Sequence, residues 1–105
     1  MKIKTNELKD QALDWAVAVT KNVFSQDRHV EGDDGTTYRP SSNWSQGGPI
    51  IEREKITVSS QTNGHDWAAK AAHNYSYGPT PLIAAMRCYC CSKLGDEVEV
   101  PDELA

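Results

Sequence analysis

The sequence predicts an α+β fold: two main helices packed on a small antiparallel sheet, with a long ordered loop over one side. Three observations predict it. Apolar residues recur at helical spacing near both ends of the chain, a β-branched run at 55–60 alternates as a strand does, and a polar, turn-rich stretch at 25–49 separates the first helix from the strands. The 105 residues support a single small domain over 1–105 and no second core. Only 18 residues are Leu, Ile, Val or Phe, while ten are alanines that bury little surface. The net charge of −4 is too small to accompany that thin core into disorder. A folded domain with so little apolar bulk is expected to borrow stability from a partner subunit, so a homo-oligomer is expected.

The first helix is expected from Asn6 to Asn22. Leu8, Ala12, Trp15, Ala16, Val19 and Val23 share one face, and Leu13 and Val17 widen the stripe enough to serve a core and a subunit contact. Thr5 or Asn6 is suited to cap its first amides, with Glu7 and Asp10 at the positive end of the dipole. Trp15 reads as a core residue. The loop of 25–49 follows, too long for a plain connection, and its aromatics and Gly-Gly-Pro argue that it is ordered and functional. Pro49 suits a helix start, so Ile50–Glu54 reads as one helical turn. Residues 55–60 read as a strand and 61–64 as a turn. Residues 66–73 have helical propensity that strand pairing is able to override.

The last helix has the sharpest punctuation. Thr80 is a good N-cap, Pro81 occupies the first helical position and Gly95 stands at the stop. Glu97-Val-Glu-Val then reads as a short edge strand ended by Pro101. The end of the chain, 96–105, carries five acids and no base, whereas the other 95 residues carry 11 bases and ten acids. This acidic end reads first as a solvated terminus and second as a partner-binding or DNA-mimicking strip. The bases are spread without a Lys/Arg run, so no nucleic-acid partner is expected. No stretch approaches the roughly 18 apolar residues of a membrane span, and the first residues have no hydrophobic signal region. No membrane partner is expected, and the location is expected to be cytoplasmic.

Catalytic signatures are sparse. Cys88, Cys90 and Cys91 lie too close together for a disulfide framework and read as reduced core residues. Cys88 and Cys91 share a helix face, but a tetrahedral metal site needs more ligands than their spacing specifies, so neither metal nor cofactor is expected. His29, His65 and His73 read as surface residues. Phosphate-loop, dinucleotide and nucleophile-elbow motifs are missing.

Recognition chemistry is denser. Tyr38 and Arg39 supply a stacking surface and a guanidinium; Trp44, Ser45, Gln46, Gly47 and Gly48 supply an indole, two polar side chains and a turn open to a ligand. A second loop, Tyr75-Ser-Tyr-Gly-Pro-Thr-Pro, brings Tyr75 and Tyr77 to the start of the last helix, where Thr80 and the amides from Leu82 onward suit an anion. Arg87 sits on an otherwise apolar helix and must find a carboxylate, a carbonyl cluster or an anion. Glu52, Glu54 or Asp66 is its expected partner, with a ligand phosphate second. The set fits a nucleotide-like small molecule. The competing account is that Trp44 packs over the thin core while the glycines shape a turn.

Trp44-Ser-Gln-Gly-Gly-Pro-Ile-Ile-Glu-Arg-Glu, Trp67-Ala-Ala and Gly78-Pro-Thr-Pro-Leu-Ile-Ala-Ala-Met-Arg, with the opening Glu7-Leu and Ala12-Leu-Asp-Trp-Ala-Val, resemble the NinX-like family of small phage proteins. The resemblance covers nearly the whole chain, although Cys90-Cys91 stands where a small apolar pair is expected. It implies a phage origin and action inside a bacterial host cell. By analogy with small phage counter-defence proteins, three functions are expected in descending order. The first is a non-catalytic sponge for a cyclic nucleotide or ADP-ribose-type immune signal. The second is a protein-binding inhibitor of a host enzyme or defence protein, and the third a small hydrolase of the same ligand class.

Overall fold

A computed structural model of the chain describes residues 1–21, 38–61, 66–71 and 74–104. In order these form β1 (Lys2–Lys4), a 3-10 turn (Thr5–Glu7), α1 (Asp10–Lys21), α2 (Trp44–Glu54), β2 (Thr57–Ser60), β3 (Trp67–Ala71), β4 (Asn74–Gly78), α3 (Pro81–Leu94), β5 (Glu97–Glu99) and a second 3-10 turn (Asp102–Leu104). The α+β class is as expected. Among the described residues, however, three helices and two antiparallel sheets replace two helices on one sheet.

The first departure is at the start of the chain. The expected helix from Asn6 begins only at Asp10, whose φ of 53° turns the chain into α1, and Asn22 and Val23 at its expected end lie outside the described residues. Residues 2–4 are instead drawn into β1 by pairing with β5, which sets Lys2 opposite Glu99, Ile3 opposite Val98 and Lys4 opposite Glu97. Opposite charges across the strands and one apolar pair favour that register. Thr5 is not a helix cap. Its buried hydroxyl donates to the carbonyls of Gly95 (2.8 Å) and Asp96 (3.1 Å), and its amide donates to Asp96 (2.9 Å). The acidic end is thereby tied into the fold, with Val100 fully buried beneath it, rather than left as a solvated tail.

The second departure is α2. Trp44 to Pro49 was expected as loop, yet it is the first half of a continuous helix that ends, as expected, near Glu54. Asn43 makes this possible by accepting from the Ser45 amide at 2.9 Å through its side chain and from the Gln46 and Gly47 amides through its carbonyl. Pro49 removes an amide that the Ser45 carbonyl would otherwise receive. Both residues are exposed, so water can take up that carbonyl. Of the long loop expected over 25–49, residues 25–37 lie outside the described residues and 38–43 form a turn.

The strand expected at 55–60 is β2, after Lys55 closes α2 in a left-handed conformation. Residues 67–71 resolve toward the strand alternative: β3 is paired on both sides in the order β2-β3-β4, and two ladders outweigh the helical preference of alanine. The segment from Tyr75 to Gly78, expected as loop, belongs to β4. The register aligns Val58, Ala69 and Ser76 on one face and Thr57, Lys70 and Tyr75, then Ser59, Ala68 and Tyr77, on the other. α3 covers the first face, meeting all three strands. Its buried Ala84, Ala85, Met86, Cys88 and Cys90 join Ala12, Leu13, Ala16 and Val17 of α1 in one core. Alanine and cysteine at the contact let the helices and sheet approach closely, which is how few large side chains still close a core. α3 itself begins and ends as expected, with Thr80 accepting from the Ile83 amide at 3.1 Å and Gly95 at φ 87° after the last turn.

Candidate functional site

The expected ligand residues divide into those the fold presents and those it consumes. Residues 39–46 close on themselves. The Arg39 carbonyl accepts from the amides of Ser42 and Asn43, the Arg39 amide donates to the Gln46 side-chain oxygen at 2.6 Å, and the Ser45 hydroxyl donates to Asn43 Oδ1 at 2.6 Å. From beneath, the Ser41 amide donates to Asp14 Oδ1 at 2.9 Å, which fastens this turn to α1. Backbone groups and the Asn43, Ser45 and Gln46 side chains are thus used internally. Arg39 and Ser45 are exposed, and Trp44 stands 57% exposed on the first turn of α2. Tyr38, expected as a second stacking surface, is instead buried in the core, where a thinly filled interior takes up its ring.

Gly47 and Gly48, adjacent in sequence, have different environments. A Cβ on Gly47 would lie 2.3 Å from the Pro40 carbonyl oxygen and 2.7 Å from Leu82 Cδ2, whereas one on Gly48 meets nothing nearer than Trp44 at 3.9 Å. Gly47 therefore lets α2 touch the 38–43 turn and the first turn of α3; it is not an opening for a ligand. The start of α3 is gripped from the other side too, since a Cβ on Gly78 would lie 2.8 Å from the Ala84 amide nitrogen. The Thr80 side chain and carbonyl take the amides of Ile83 and Ala84, and Pro81 has none, so the expected anion site there is largely used by its own cap.

Arg87 is also consumed. Its Nε donates to the Leu8 carbonyl at 2.7 Å and its Nη1 to the Tyr77 carbonyl at 2.8 Å. The carboxylate expected from Glu52, Glu54 or Asp66 is replaced by a carbonyl pair. Glu54 instead holds Arg53 (3.0 Å) and Lys93 (3.3 Å). Burial pulls the Arg87 guanidinium below its ordinary range, with the charge of Glu7 opposing that pull. Tyr77 keeps its side chain 44% exposed on the outer sheet face beside the 60% exposed Tyr75, whose ring lies 5.5 Å from Lys70 Nζ.

Cys88 and Cys90 sit in the core, whereas Cys91, expected there too, is half-buried. Burial pushes Cys88 up to about 11 and raises Cys90 as well, which disfavours the nucleophilic thiolate at neutral pH. Among the described residues no group of three or more His, Cys, Asp and Glu is placed to hold a metal ion, and no helix is long and apolar enough to cross a membrane. His29, His65 and His73 lie outside the described residues.

The role of Asp14 is not legible in the sequence, because its partner Ser41 is remote along the chain. Burial pushes its carboxyl above the ordinary carboxylate range, against the hydrogen bonds from Ser41 and the charge of Arg39. A raised carboxyl binds its proton more tightly in the folded state, so its contribution to stability falls as pH rises through the interval above the ordinary Asp value of about 3.9. Asp14→Asn, which still accepts from Ser41, should match or exceed the wild type in urea melts at neutral pH. The wild type should gain on the variant as pH falls through that interval; parallel pH profiles would contradict the assignment.

Two grooves border residues 99–104, the last part of the acidic end. The larger, of about 590 Å³, lies between Trp15 and residues 99–103. A second, of about 450 Å³, runs from Ile3 along the start of α1 and shares Glu103. Neither touches the ligand residues expected from the sequence. Trp15, expected as a core residue, packs half-buried against the core and lines the larger groove.

Together these features define a small α+β protein whose single core leaves Trp44, Tyr75 and Tyr77 in solvent. The family model described as Bacteriophage P22, NinX matches residues 4–93, and the chain belongs to that family of small phage proteins. A search of curated proteins finds no match.

Proposed function

We propose that the chain is a non-catalytic binding protein that acts inside the bacterial host cell and sequesters a nucleotide-derived small molecule of the cyclic-nucleotide or ADP-ribose type, as a phage counter-defence sponge. The observation that carries this reading is the 39–46 turn, braced internally and fastened to α1, which holds Trp44 and Arg39 outward together with Ser45. An indole face stacks on a base, and a guanidinium fits a phosphate. Fixing both on a turn whose backbone is already bonded lowers the entropy lost on binding. Gly47, Thr80 and Arg87 contribute to this site by positioning α2 and α3, and Tyr38 by filling the core beneath the turn. The exposed tyrosines of the outer sheet face support self-association into a homo-oligomer, which native mass spectrometry reads together with any co-purified ligand; a strict monomer would remove that part of the proposal.

Isothermal titration against cyclic nucleotides and ADP-ribose derivatives tests the reading. Base stacking is worth about 1–3 kcal/mol. Trp44→Ala should therefore weaken binding about tenfold or more while leaving the melting temperature nearly unchanged, because the indole is exposed. Absence of heat with every ligand, using folded protein, would overturn it. Ligand recovered intact after heat denaturation separates a sponge from a hydrolase.

A second reading, a protein-binding inhibitor of a host enzyme or defence protein, is favoured by the acidic groove beside Trp15. Deleting residues 96–105 is a poor test of it, because that deletion removes β5 and the carbonyl of Asp96 that holds Thr5. Substitutions on the groove rim keep the fold and address the surface directly.

A further inference from the structure

We infer that the outer edge of β2 is where two copies of this chain meet, β2 pairing with β2 antiparallel about a two-fold axis to join their sheets into one. The inference rests on the homo-oligomer part of the proposal above, not on its nucleotide part, and it assigns the assembly to a strand edge rather than to the outer sheet face. β2 lies at the end of the order β2-β3-β4. The direction of its backbone groups follows from the ladder. The Gln61 amide donates to the Asp66 carbonyl at 3.2 Å, so these residues form a hydrogen-bonded pair. Bonded pairs alternate along an antiparallel ladder. With Thr57 opposite Lys70 and Ser59 opposite Ala68, those pairs exchange bonds as well, and Val58 and Ser60 turn their amides and carbonyls away from β3. The Gln61 side chain donates to the Ser60 carbonyl at 3.2 Å, as an outward carbonyl permits. Among the described residues, no backbone group beyond the sheet bonds to the Val58 amide or carbonyl.

The opposite edge of the sheet is closed by α3. By the same alternation the outward groups of β4 belong to Tyr75 and Tyr77; Arg87 fills the Tyr77 carbonyl at 2.8 Å, and the backbone at Gly78 lies against the first turn of α3. Open edges are ordinarily blunted by lysine, proline or a bulge. β2 reads Thr-Val-Ser-Ser, pairs regularly throughout and leaves Thr57, Ser59 and Ser60 exposed. The edge is also complementary to itself. In an antiparallel pairing centred on Ser59, Val58 of one copy exchanges bonds with Ser60 of the other, and Ser60 with Val58. Every outward group of β2 then finds a partner, and Ser59 faces Ser59 with no like charges opposed. Exposed Lys55, just before β2, comes beside the Gln61 end of the second copy, where exposed Asp66 sits. The charges therefore match at both ends. A foreign strand would have to reproduce that register and both charges, whereas a second copy supplies them by symmetry. Length sets the strength: a strand of four residues buries less than the roughly 1,200 Å² of a standard interface, so the dimer forms and dissociates with concentration.

The test is analytical ultracentrifugation of the full chain, with amide exchange followed by NMR, over a concentration series from micromolar to millimolar. The chain should dimerise, and the Val58 and Ser60 amides should gain protection as it does. Those of Thr57 and Ser59, already bonded to β3, should change little. Ser59→Lys and Ser59→Glu, at an exposed position, should each weaken association about tenfold or more, because like charges meet on the axis. Mixing the two variants should restore it. Ser60→Pro removes an amide that β3 does not use and should likewise leave a folded monomer. Should Ser60→Pro fail to fold, the two Ser59 variants carry the test. Tyr75→Ala should dimerise as the wild type does. A strict monomer throughout the series, a dimer untouched by the Ser59 variants, a mixture no tighter than either variant alone, or loss of the dimer in Tyr75→Ala would each overturn the inference. Loss with Tyr75 leaves the homo-oligomer reading standing on the outer sheet face. A strict monomer removes both, and titration with nucleotides reports separately on the ligand.

Discussion

Gly47→Ala should cost about 3 kcal/mol of stability or more, while Gly48→Ala, one residue away, should be neutral or stabilising by up to about 1 kcal/mol. Both glycines lie inside α2, so helix propensity alone favours alanine equally at each. The surroundings separate them. At Gly47 the added methyl would sit 2.3 Å from a backbone oxygen of Pro40 and 2.7 Å from Leu82 Cδ2. Leu82 is buried and has little room to turn aside, and the Pro40 carbonyl belongs to a turn fixed at Arg39, Ser41 and Asn43. Accommodating the methyl requires α2 to move away from both the turn and α3. At Gly48 the nearest atom is 3.9 Å away, an ordinary contact within the same helix. For a domain of this size the cost at Gly47 corresponds to a fall in melting temperature of more than about 10 °C. Thermal and urea melts of the two variants, measured side by side, decide the matter. Similar melts would mean that the glycines only shape a turn, and that the α2–α3 contact is looser than these distances require.

That contrast also marks what the sequence could convey. The last helix was legible because Thr80, Pro81 and Gly95 act locally: each satisfies or withholds a backbone group within a few residues of itself. β2 was legible from its own β-branched residues, and β5 from its alternation and the proline after it. α2 was hidden because Gly-Gly-Pro has low helix propensity, and its helical state is secured by the Asn43 cap and by a contact between Gly47 and Leu82 that no local rule reports. β1 was hidden for a similar reason, since its partner lies at the far end of the chain. The candidate site divides along the same line. Trp44 and Arg39 were legible as exposed candidates because they lie in a polar, turn-rich stretch, which is a local property. Burial of Tyr38, and the use of Asp14 to anchor that turn, follow from packing between segments remote in sequence.

Arg87→Met should destabilise the fold by about 2–4 kcal/mol, and Arg87→Lys should recover only a minor part of that loss. The guanidinium is the one described side chain that joins the Leu8 carbonyl, just before α1, to the Tyr77 carbonyl of β4, and it does so from the middle of α3. Hydrogen bonds with a charged donor contribute about 1.5–3 kcal/mol each, and the carbonyls left behind lose a partner in a half-buried place. Methionine keeps the apolar stem and its packing, so the loss isolates the two bonds rather than a cavity. A lysine ammonium is a point donor and lacks the planar fork that spans two carbonyls on different elements. A purely ligand-binding Arg87 predicts the opposite pattern, with nucleotide affinity lost and urea midpoints unchanged. Measured together, urea melts and titration calorimetry therefore separate a strut from a phosphate contact. A destabilised Arg87→Met that still binds ligand when folded places recognition away from Arg87, whose guanidinium then serves to hold the Leu8 segment, α3 and β4 in register.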